Sequence, residues 1–161
     1  MAYEKLFQRG RIGNLELKNR IVMPPMGTGM ACASGEASDR IIRYYEERAK
    51  AGCGLICTEI TCVDEDTGAG GYFQLHASGM QFAQRLKKLA DAVHRYDTKI
   101  FLQLHHPGRE ISARVQKAGE IVAPSAIPCP VTKEMPRALT TQECEELVKK
   151  FVKAANIAKI A

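Results

Sequence analysis

Polar side chains interrupt the apolar strands of this sequence at a few places, and the first of them is Gln103. It lies inside the apolar stretch 100–104, which has the length of a buried strand and is followed by the turn signal Pro107-Gly108. A carboxamide buried without a partner costs about 1–3 kcal/mol, so we expect another group to bind Gln103. Strand alternation puts Gln103 and His105 on one face and the aliphatic side chains on the other. The stretch therefore predicts a strand with a chemically active face and a face covered by helices.

Glu59 is a second polar residue within an apolar strand. It lies in residues 54–63, which are rich in β-branched side chains. A buried carboxylate is either paired with a basic group inside the fold or belongs to a functional site. The sequence leaves both interpretations open.

A glycine-rich segment, Gly27-Thr28-Gly29, follows a short apolar strand within residues 19–26 that is stopped by Pro24 and Pro25. The glycines would let backbone N–H groups approach a ligand closely. The segment lacks the third glycine of a dinucleotide-binding loop and the lysine of a P-loop, so it is a poor phosphate cradle.

Composition restricts the class of protein. The chain has 161 residues, of which 45% are hydrophobic and 25% charged, with a net charge of +5 from scattered residues of both signs. This indicates a soluble globular domain and argues against disorder and against nucleic acid as a partner. No apolar run reaches the length of a membrane span or a signal peptide, so we expect a cytoplasmic protein with no membrane partner. The six cysteines contain no C-x-x-C pair, and we expect free thiols and no metal site.

The elements that must position these residues alternate between strands and helices. Helices are predicted from Ser38-Asp39 to Gly52, over residues 80–96, and from a capping box at Thr140 onward. Repeating βα units form parallel sheets, and a (β/α)8 barrel places functional residues at the carboxyl ends of its strands. A complete barrel needs about 250 residues, so the predicted fold is α/β, the N-terminal portion of a TIM barrel with about three βα units.

Two further segments frame that portion. Gly13-Asn14 between short apolar stretches predicts a hairpin, and residues 1–18 form an N-terminal cap. Residues 110–138 carry four prolines and predict a long loop. Residues 1–161 are thus predicted to form the N-terminal part of a single domain.

Three motifs in order resemble the first three strands of the Old Yellow Enzyme family. They are Asn-Arg-Ile-Val-Met-Pro-Pro-Met-Gly-Thr-Gly at 19–29, Gly-Leu-Ile-Cys-Thr-Glu at 54–59 and Gln-Leu-His-His-Pro-Gly-Arg at 103–109. The branch that the chain is most similar to contains NADH:flavin oxidoreductases, 2,4-dienoyl-CoA reductases and enoate reductases. The resemblance covers essentially the whole chain and implies a TIM barrel that binds FMN at its strand ends and takes NAD(P)H as reductant.

The resemblance also assigns roles to residues. It implies that Pro25, Met26, Gly27 and Ile60 line the flavin. Gln103 would bind the pyrimidine edge, since a carboxamide both donates and accepts hydrogen bonds. Thr28 would join these residues through a hydrogen bond near a flavin carbonyl or N5. Position 27 carries cysteine, threonine or histidine in other members, so the glycine here removes one means of tuning the redox potential.

The implied reaction passes hydride from NAD(P)H to FMN and then to the β-carbon of an enone, enoate or enoyl-CoA. The groups that polarise the substrate carbonyl come from the fourth strand in the family, so we expect the catalytic residues beyond residue 161 and this chain alone to be inactive. In the family the FMN phosphate site comes from the seventh and eighth strands, so we expect that site beyond this chain as well. An iron–sulfur cluster and FAD are expected only in a longer parent protein, and the partner is expected to be the rest of the barrel or a second copy.

Two alternatives from other classes stay open. The chain could be a non-catalytic half-barrel that assembles through its sheet edges. It could also be a metal-dependent hydrolase using Glu59, His105 and His106, although adjacent histidines on a strand point to opposite faces. For these histidines we expect structural hydrogen bonds near the flavin edge or its loops.

Overall fold

The computed structural model describes residues 3–161, so the first two residues of the predicted cap lie outside it. In chain order the helices and strands are α1 (Glu4–Phe7), β1 (Gly10–Ile12), β2 (Leu15–Leu17), β3 (Val22–Met23), α2 (Asp39–Lys50), β4 (Leu55–Cys62), β5 (Leu75–His76), α3 (Ala83–His94), β6 (Lys99–His105), β7 (Val122–Ala123), β8 (Arg137–Ala138) and α4 (Thr141–Ile160). Short 3-10 turns lie at Met80–Phe82 and Ala113–Val115.

The predicted hairpin is present at the start of the chain. β1 and β2 pair antiparallel, with Ile12 opposite Leu15 across a two-residue turn. Gly13 has a φ of +55°, while Asn14 keeps a negative φ. This combination is that of a type II′ turn, which requires glycine at its first central position.

A parallel sheet built on β4 forms the centre of the molecule. β6 pairs with β4 along nearly its whole length, from Leu55 opposite Lys99 to Cys62 opposite His105. β3 pairs with the start of β4 and β5 with its end, so these two short strands share the other edge. The α2 and α3 helices connect successive strands, which gives the partial α/β barrel that the sequence predicts.

The core lies between the sheet and its helices. Leu102 and Leu104 of β6 pack on this side, as strand alternation predicts. One cluster joins α2, the sheet and α3 through Ile41, Tyr45, Ala49, Ile56, Leu75, Leu89 and Val93. A second joins α3 to α4 through Phe82, Leu86, Ala154 and Ile157.

Helices α2 and α4 begin where their capping residues predict. Ser38 Oγ accepts a hydrogen bond from the backbone N–H of Ile41. The capping box at Thr140 and Glu143 is complete in both directions. Within residues 3–161, no helix is long and apolar enough to cross a membrane.

The proline-rich segment is more ordered than predicted. β7 pairs with β8 in parallel, which aligns Val122 with Arg137 and Ala123 with Ala138. Both residues of β7 are buried. A pairing between two-residue strands is too short to leave a periodic pattern, which is why the sequence indicated only a loop. The short elements α1 and β5 escaped prediction for the same reason.

Candidate functional site

The inner face of the sheet, opposite the helices, is open and carries Gln103. Gln103 is exposed, and so is Phe101, at 41%. The expectation that Gln103 is a buried amide in need of a partner is therefore wrong for this chain. Its side chain makes no hydrogen bond to any described residue, because this face of the strand is not covered by protein. The amide is available to a ligand.

Strand β4 contains a bulge next to Gln103. Cys57 pairs with Phe101 and Ile60 pairs with Gln103, so Thr58 and Glu59 together oppose a single residue of β6. The Thr58 hydroxyl accepts a hydrogen bond of 3.3 Å from the backbone N–H of Gln103. Side chains in register lie on the same face, so Ile60 and Gln103 are neighbours on the inner face.

The segment that follows β3 folds back onto the bulge. The backbone N–H of Thr28 donates a hydrogen bond of 2.7 Å to Glu59 Oε2. The Thr28 hydroxyl accepts a bond of 3.2 Å from the backbone N–H of Met30. Pro25, Met26 and Gly27 are exposed before it. The Thr28 hydroxyl thus already has a local partner, although it retains its own proton to donate.

Glu59 is one of the most buried polar residues of the molecule, at 1% exposure. It forms no salt bridge with any residue in the described part of the chain, so the interpretation of Glu59 as a carboxylate paired with a basic group is wrong. Its second oxygen, Oε1, is buried without a hydrogen-bond partner. Its backbone N–H donates a bond of 2.7 Å to the hydroxyl of Tyr45 on α2.

A glycine covers part of the inner face at the ends of the strands. A Cβ atom at Gly70 would lie 2.8 Å from Ile60 Cδ1 and 3.0 Å from His105 Cε1. A larger residue at this position would require the Ile60 side chain to shift. His105 Nδ1 is buried without a partner, and burial lowers the pKa of the ring. The Gly70 loop and His105 therefore form one wall of the inner face.

His106 points away from that wall into a separate buried network. Its Nδ1 accepts a hydrogen bond of 3.1 Å from the backbone N–H of Gly108, so the neutral ring carries its proton on Nε2. Nε2 lies 3.2 Å from Thr67 Oγ1 and 3.9 Å from Asp64 Oδ2. Asp64 in turn accepts a bond of 2.7 Å from Lys150 Nζ on α4. This network ties together the loops that follow β4 and β6.

The structure connects three of the predicted residues, Thr28, Ile60 and Gln103, through Glu59 and the strand register. Thr28 is bonded to Glu59, Glu59 precedes Ile60 in the chain, and Ile60 is in register with Gln103. His105 and His106 lie on opposite sides, as alternation predicts. Among the described residues no group of three or more histidine, cysteine or acidic side chains is placed to hold a metal ion.

Sequence reasoning missed three contributors, which are Tyr45, Gly70 and Lys150. Tyr45 lies on the buried apolar face of α2, and its hydroxyl gives no signal in the sequence. Gly70 lies in a glycine-rich loop without periodicity. Lys150 lies four residues after Glu146, a spacing that favours an ion pair along the helix and gives no sign of Asp64. Each acts through a contact between residues distant in sequence, which local patterns do not report.

Comparison with known proteins gives concordant results. The profile of the NADH:flavin oxidoreductase / NADH oxidase family matches residues 5–161. The chain is 45% identical over 157 residues to an NADH oxidase of Thermoanaerobacter brockii, covering 98% of this chain and 24% of that protein. It is 38% identical to a cinnamate reductase of Clostridium sporogenes, covering 99% of this chain and 25% of that protein.

Solved structures give the same answer for the fold. An Old Yellow Enzyme homologue from Zymomonas mobilis superposes with a TM-score of 0.86 at 29% identity, covering 97% of this chain and 45% of that one. A morphinone reductase in complex with tetrahydroNAD also gives 0.86 at 29% identity, covering 96% of this chain and 46% of that one. The chain therefore spans about a quarter of the two curated relatives and just under half of these barrels.

Proposed function

The chain belongs to the NADH:flavin oxidoreductase / NADH oxidase family, and we propose that its inner sheet face holds the isoalloxazine ring of FMN in an NAD(P)H-dependent enzyme. The observation that carries this proposal is the Gln103 amide, which is exposed and unbonded beside Ile60. A carboxamide in this position can both donate to and accept from the pyrimidine edge of a flavin.

The surroundings of Gln103 suit a planar ring with one polar edge. Phe101 exposes 41% of its surface on the same face of β6. Met26 exposes 57% in the segment that Thr28 anchors to β4. Pro25 and Gly27 flank Met26 and are also exposed. Apolar groups around a few directed polar groups are the usual lining of a cofactor site.

FMN, when bound, accepts hydride from a nicotinamide and donates it to a second substrate. This chain would contribute the orientation of the ring through Gln103, Thr28 and the apolar residues around them. We propose that the second substrate is an activated alkene, such as an enone, enoate or enoyl-CoA. The likeness to a cinnamate reductase supports this class, because the name of that relative identifies an unsaturated acid.

The groups that polarise the substrate carbonyl and bind the FMN phosphate are proposed to come from later strands of the barrel. The free edge of β6 supports such a partner, since β6 pairs only with β4 among the described residues. An apolar cleft of about 430 Å³ lies beside this edge and would receive the next βα unit. Its lining includes Leu86, Leu89, Ile100, Leu104, Ala155 and Ala158.

The remaining expectations stay within the proposal. We place the enzyme in the cytoplasm, and we propose that an iron–sulfur cluster and FAD, where present, belong to a longer parent protein. A visible spectrum after gel filtration separates the flavin enzyme from a non-catalytic assembly module. A retained flavin spectrum supports the enzyme, whereas a colourless oligomer unaffected by FMN supports the module.

Gln103→Leu in the complete enzyme tests the flavin contact directly. Loss of the amide should weaken FMN binding about tenfold, which corresponds to the loss of one or two hydrogen bonds. The dissociation constant is measured from flavin fluorescence, with Gln142→Leu on the exposed face of α4 as the matched control. Unchanged flavin affinity in Gln103→Leu would show that Gln103 does not bind the ring.

A further inference from the structure

We propose that Glu59 is a positioning residue whose carboxylate fixes the backbone at Gly27 and Thr28 against the flavin ring. The inference rests on the proposed function. Glu59 Oε2 receives the backbone N–H of Thr28 at 2.7 Å, and this is the hydrogen bond that joins the segment after β3 to the bulge in β4. Glu59 itself is too buried to touch a ligand on the open face.

The bulge gives Glu59 a fixed position. Its backbone N–H leaves the strand ladder and donates to Tyr45 Oη at 2.7 Å. Its carbonyl accepts from the hydroxyls of Thr58, at 3.1 Å, and Thr61, at 3.2 Å. Both threonines and Tyr45 are fully buried. The backbone of Glu59 is therefore held by three side chains, and its carboxylate can hold the next segment without moving.

Packing alone does not explain a glutamate at position 59. An apolar side chain at position 59 would fill the same space without burying a carboxylate, and Oε1 here has no donor. Buried polar groups left partly unsatisfied are rare in folded proteins and concentrate at functional sites. Glu59 connects two proposed flavin-lining residues, because it accepts a hydrogen bond from Thr28 and directly precedes Ile60 in the sequence.

The backbone around Thr28 needs an external anchor. Gly27 and Gly29 flank it, and a Cβ atom at either would meet nothing within 4 Å, so neither is held by packing. Gly29 also has a φ of +61°, a conformation that glycine adopts freely. Without the bond to Glu59, two unpacked glycines would leave the segment free to move, and the flavin would have to order it on binding.

Two substitutions at position 59 separate hydrogen bonding from bulk. Glu59→Gln keeps an oxygen that can accept from the Thr28 N–H, whereas Glu59→Leu removes the acceptor at similar volume. In the complete enzyme we expect Glu59→Leu to weaken FMN binding about tenfold, and Glu59→Gln to stay within about threefold of wild type. Amide exchange at Thr28, measured without flavin, should accelerate in Glu59→Leu and remain slow in Glu59→Gln.

The matched control is Glu134, whose Oε2 accepts the backbone N–H of Ala113 at 2.8 Å in the proline-rich segment. Glu134→Leu should release that amide and leave FMN affinity unchanged. If Glu59→Leu does not fold, the donor can be removed instead, because Thr28→Pro lacks the backbone N–H that Glu59 accepts. Thr28→Pro should weaken FMN binding to the same extent as Glu59→Leu. Thr28→Val keeps the N–H and should weaken FMN binding less.

The outcomes distinguish the two proposals. Wild-type FMN affinity in Glu59→Leu or in Thr28→Pro overturns the positioning role while leaving the flavin site intact. A Glu59→Gln variant as weak as Glu59→Leu overturns it as well, since the acceptor would then not be what matters. A wild-type enzyme that retains no FMN overturns the proposed function itself, and the positioning role falls with it.

Discussion

Two buried carboxylates, Glu59 within β4 and Asp64 just after it, have opposite surroundings. Asp64 is 5% exposed and has donors on both oxygens. Its Oδ1 accepts from Lys150 Nζ at 2.7 Å and from the backbone N–H of Asp66 at 3.3 Å, and its Oδ2 accepts from Thr67 Oγ1 at 2.7 Å. Glu59 is more deeply buried, yet among residues 3–161 its carboxylate has one backbone donor and no cation.

The difference is consistent with a structural role for Asp64 and with the proposed flavin-positioning role for Glu59. Asp64 lies just past the end of β4, where three segments meet, and its network is completed within this chain. Glu59 lies in a bulge behind the open face, and its network is incomplete. A saturated network contributes to the free energy of unfolding, whereas an unsaturated one is tolerated where a ligand or a defined backbone position is required.

The largest expected effect follows from removing the saturated carboxylate. Asp64→Ala removes the acceptor of three hydrogen bonds, from the Lys150 ammonium, the Thr67 hydroxyl and the Asp66 backbone N–H, and it should lower the free energy of unfolding by about 3 kcal/mol. Urea denaturation followed by circular dichroism measures the change. A loss below about 1 kcal/mol would mean that the network adds little and that the contrast with Glu59 is not one of stability.

Asp64→Ala should also change how the free energy of unfolding depends on pH. Burial alone raises the pKa of Asp64, but hydrogen bonds from Lys150 and Thr67 outweigh it and lower the pKa overall. A carboxylate whose pKa is lower in the folded state stabilises above the unfolded pKa of about 3.9 and loses that contribution as the pH falls through the folded value. Wild type should therefore lose stability in this acid range more steeply than Asp64→Ala does.

The sequence predicted the strands and helices around Glu59 and Asp64 better than it predicted the hydrogen-bond partners of these two residues. Apolar runs and helix caps located β4, β6 and the three long helices, because each of these elements packs apolar residues against the rest of the chain. Glu59 and Gln103 were identified as polar residues inside strands. Whether each was buried depended on which face of the sheet the rest of the protein covers, and Gln103 proved exposed.

The partners of the two carboxylates were not predictable from local patterns. Lys150 reaches Asp64 across 86 positions of sequence, and Thr28 reaches Glu59 across 31. The bulge that sets Glu59 in place has no sequence signal, since Thr58 and Glu59 fit a regular strand equally well. Such contacts follow from the three-dimensional path of the chain, which the motif resemblance supplied only at the level of the fold.

An intermediate effect is expected at the contact that holds the bulge. Tyr45→Phe removes the acceptor of the Glu59 backbone N–H and leaves that group buried without a partner, which should cost about 2 kcal/mol. Burial also raises the pKa of Tyr45 well above its usual range, so the hydroxyl stays neutral and the contact should not vary with pH. Denaturation of wild type and variant at several pH values measures both points. A pH-dependent difference between them would contradict this account.

The smallest expected effect concerns His106, the member of the Asp64 network that can titrate near neutral pH. Burial lowers the pKa of its ring, and the nearby carboxylate of Asp64 only partly opposes this. A histidine whose pKa is lower in the folded state is held neutral, so the folded protein loses stability as the pH falls below the unfolded value of about 6.5. Nδ1 of His106 now accepts a hydrogen bond from the backbone N–H of Gly108. Protonation would place a hydrogen on Nδ1 and break this bond.

His106→Asn isolates this contribution, because the asparagine carbonyl can still accept from the N–H of Gly108 but cannot be protonated in this range. The variant should lose less stability than wild type between pH 7 and pH 5, by an amount smaller than the effect of Tyr45→Phe. Thermal unfolding at matched pH values measures the difference in slope. Parallel curves would show that His106 is protonated alike in both states, and the network around Asp64 would then be less closed to water than its hydrogen bonds indicate.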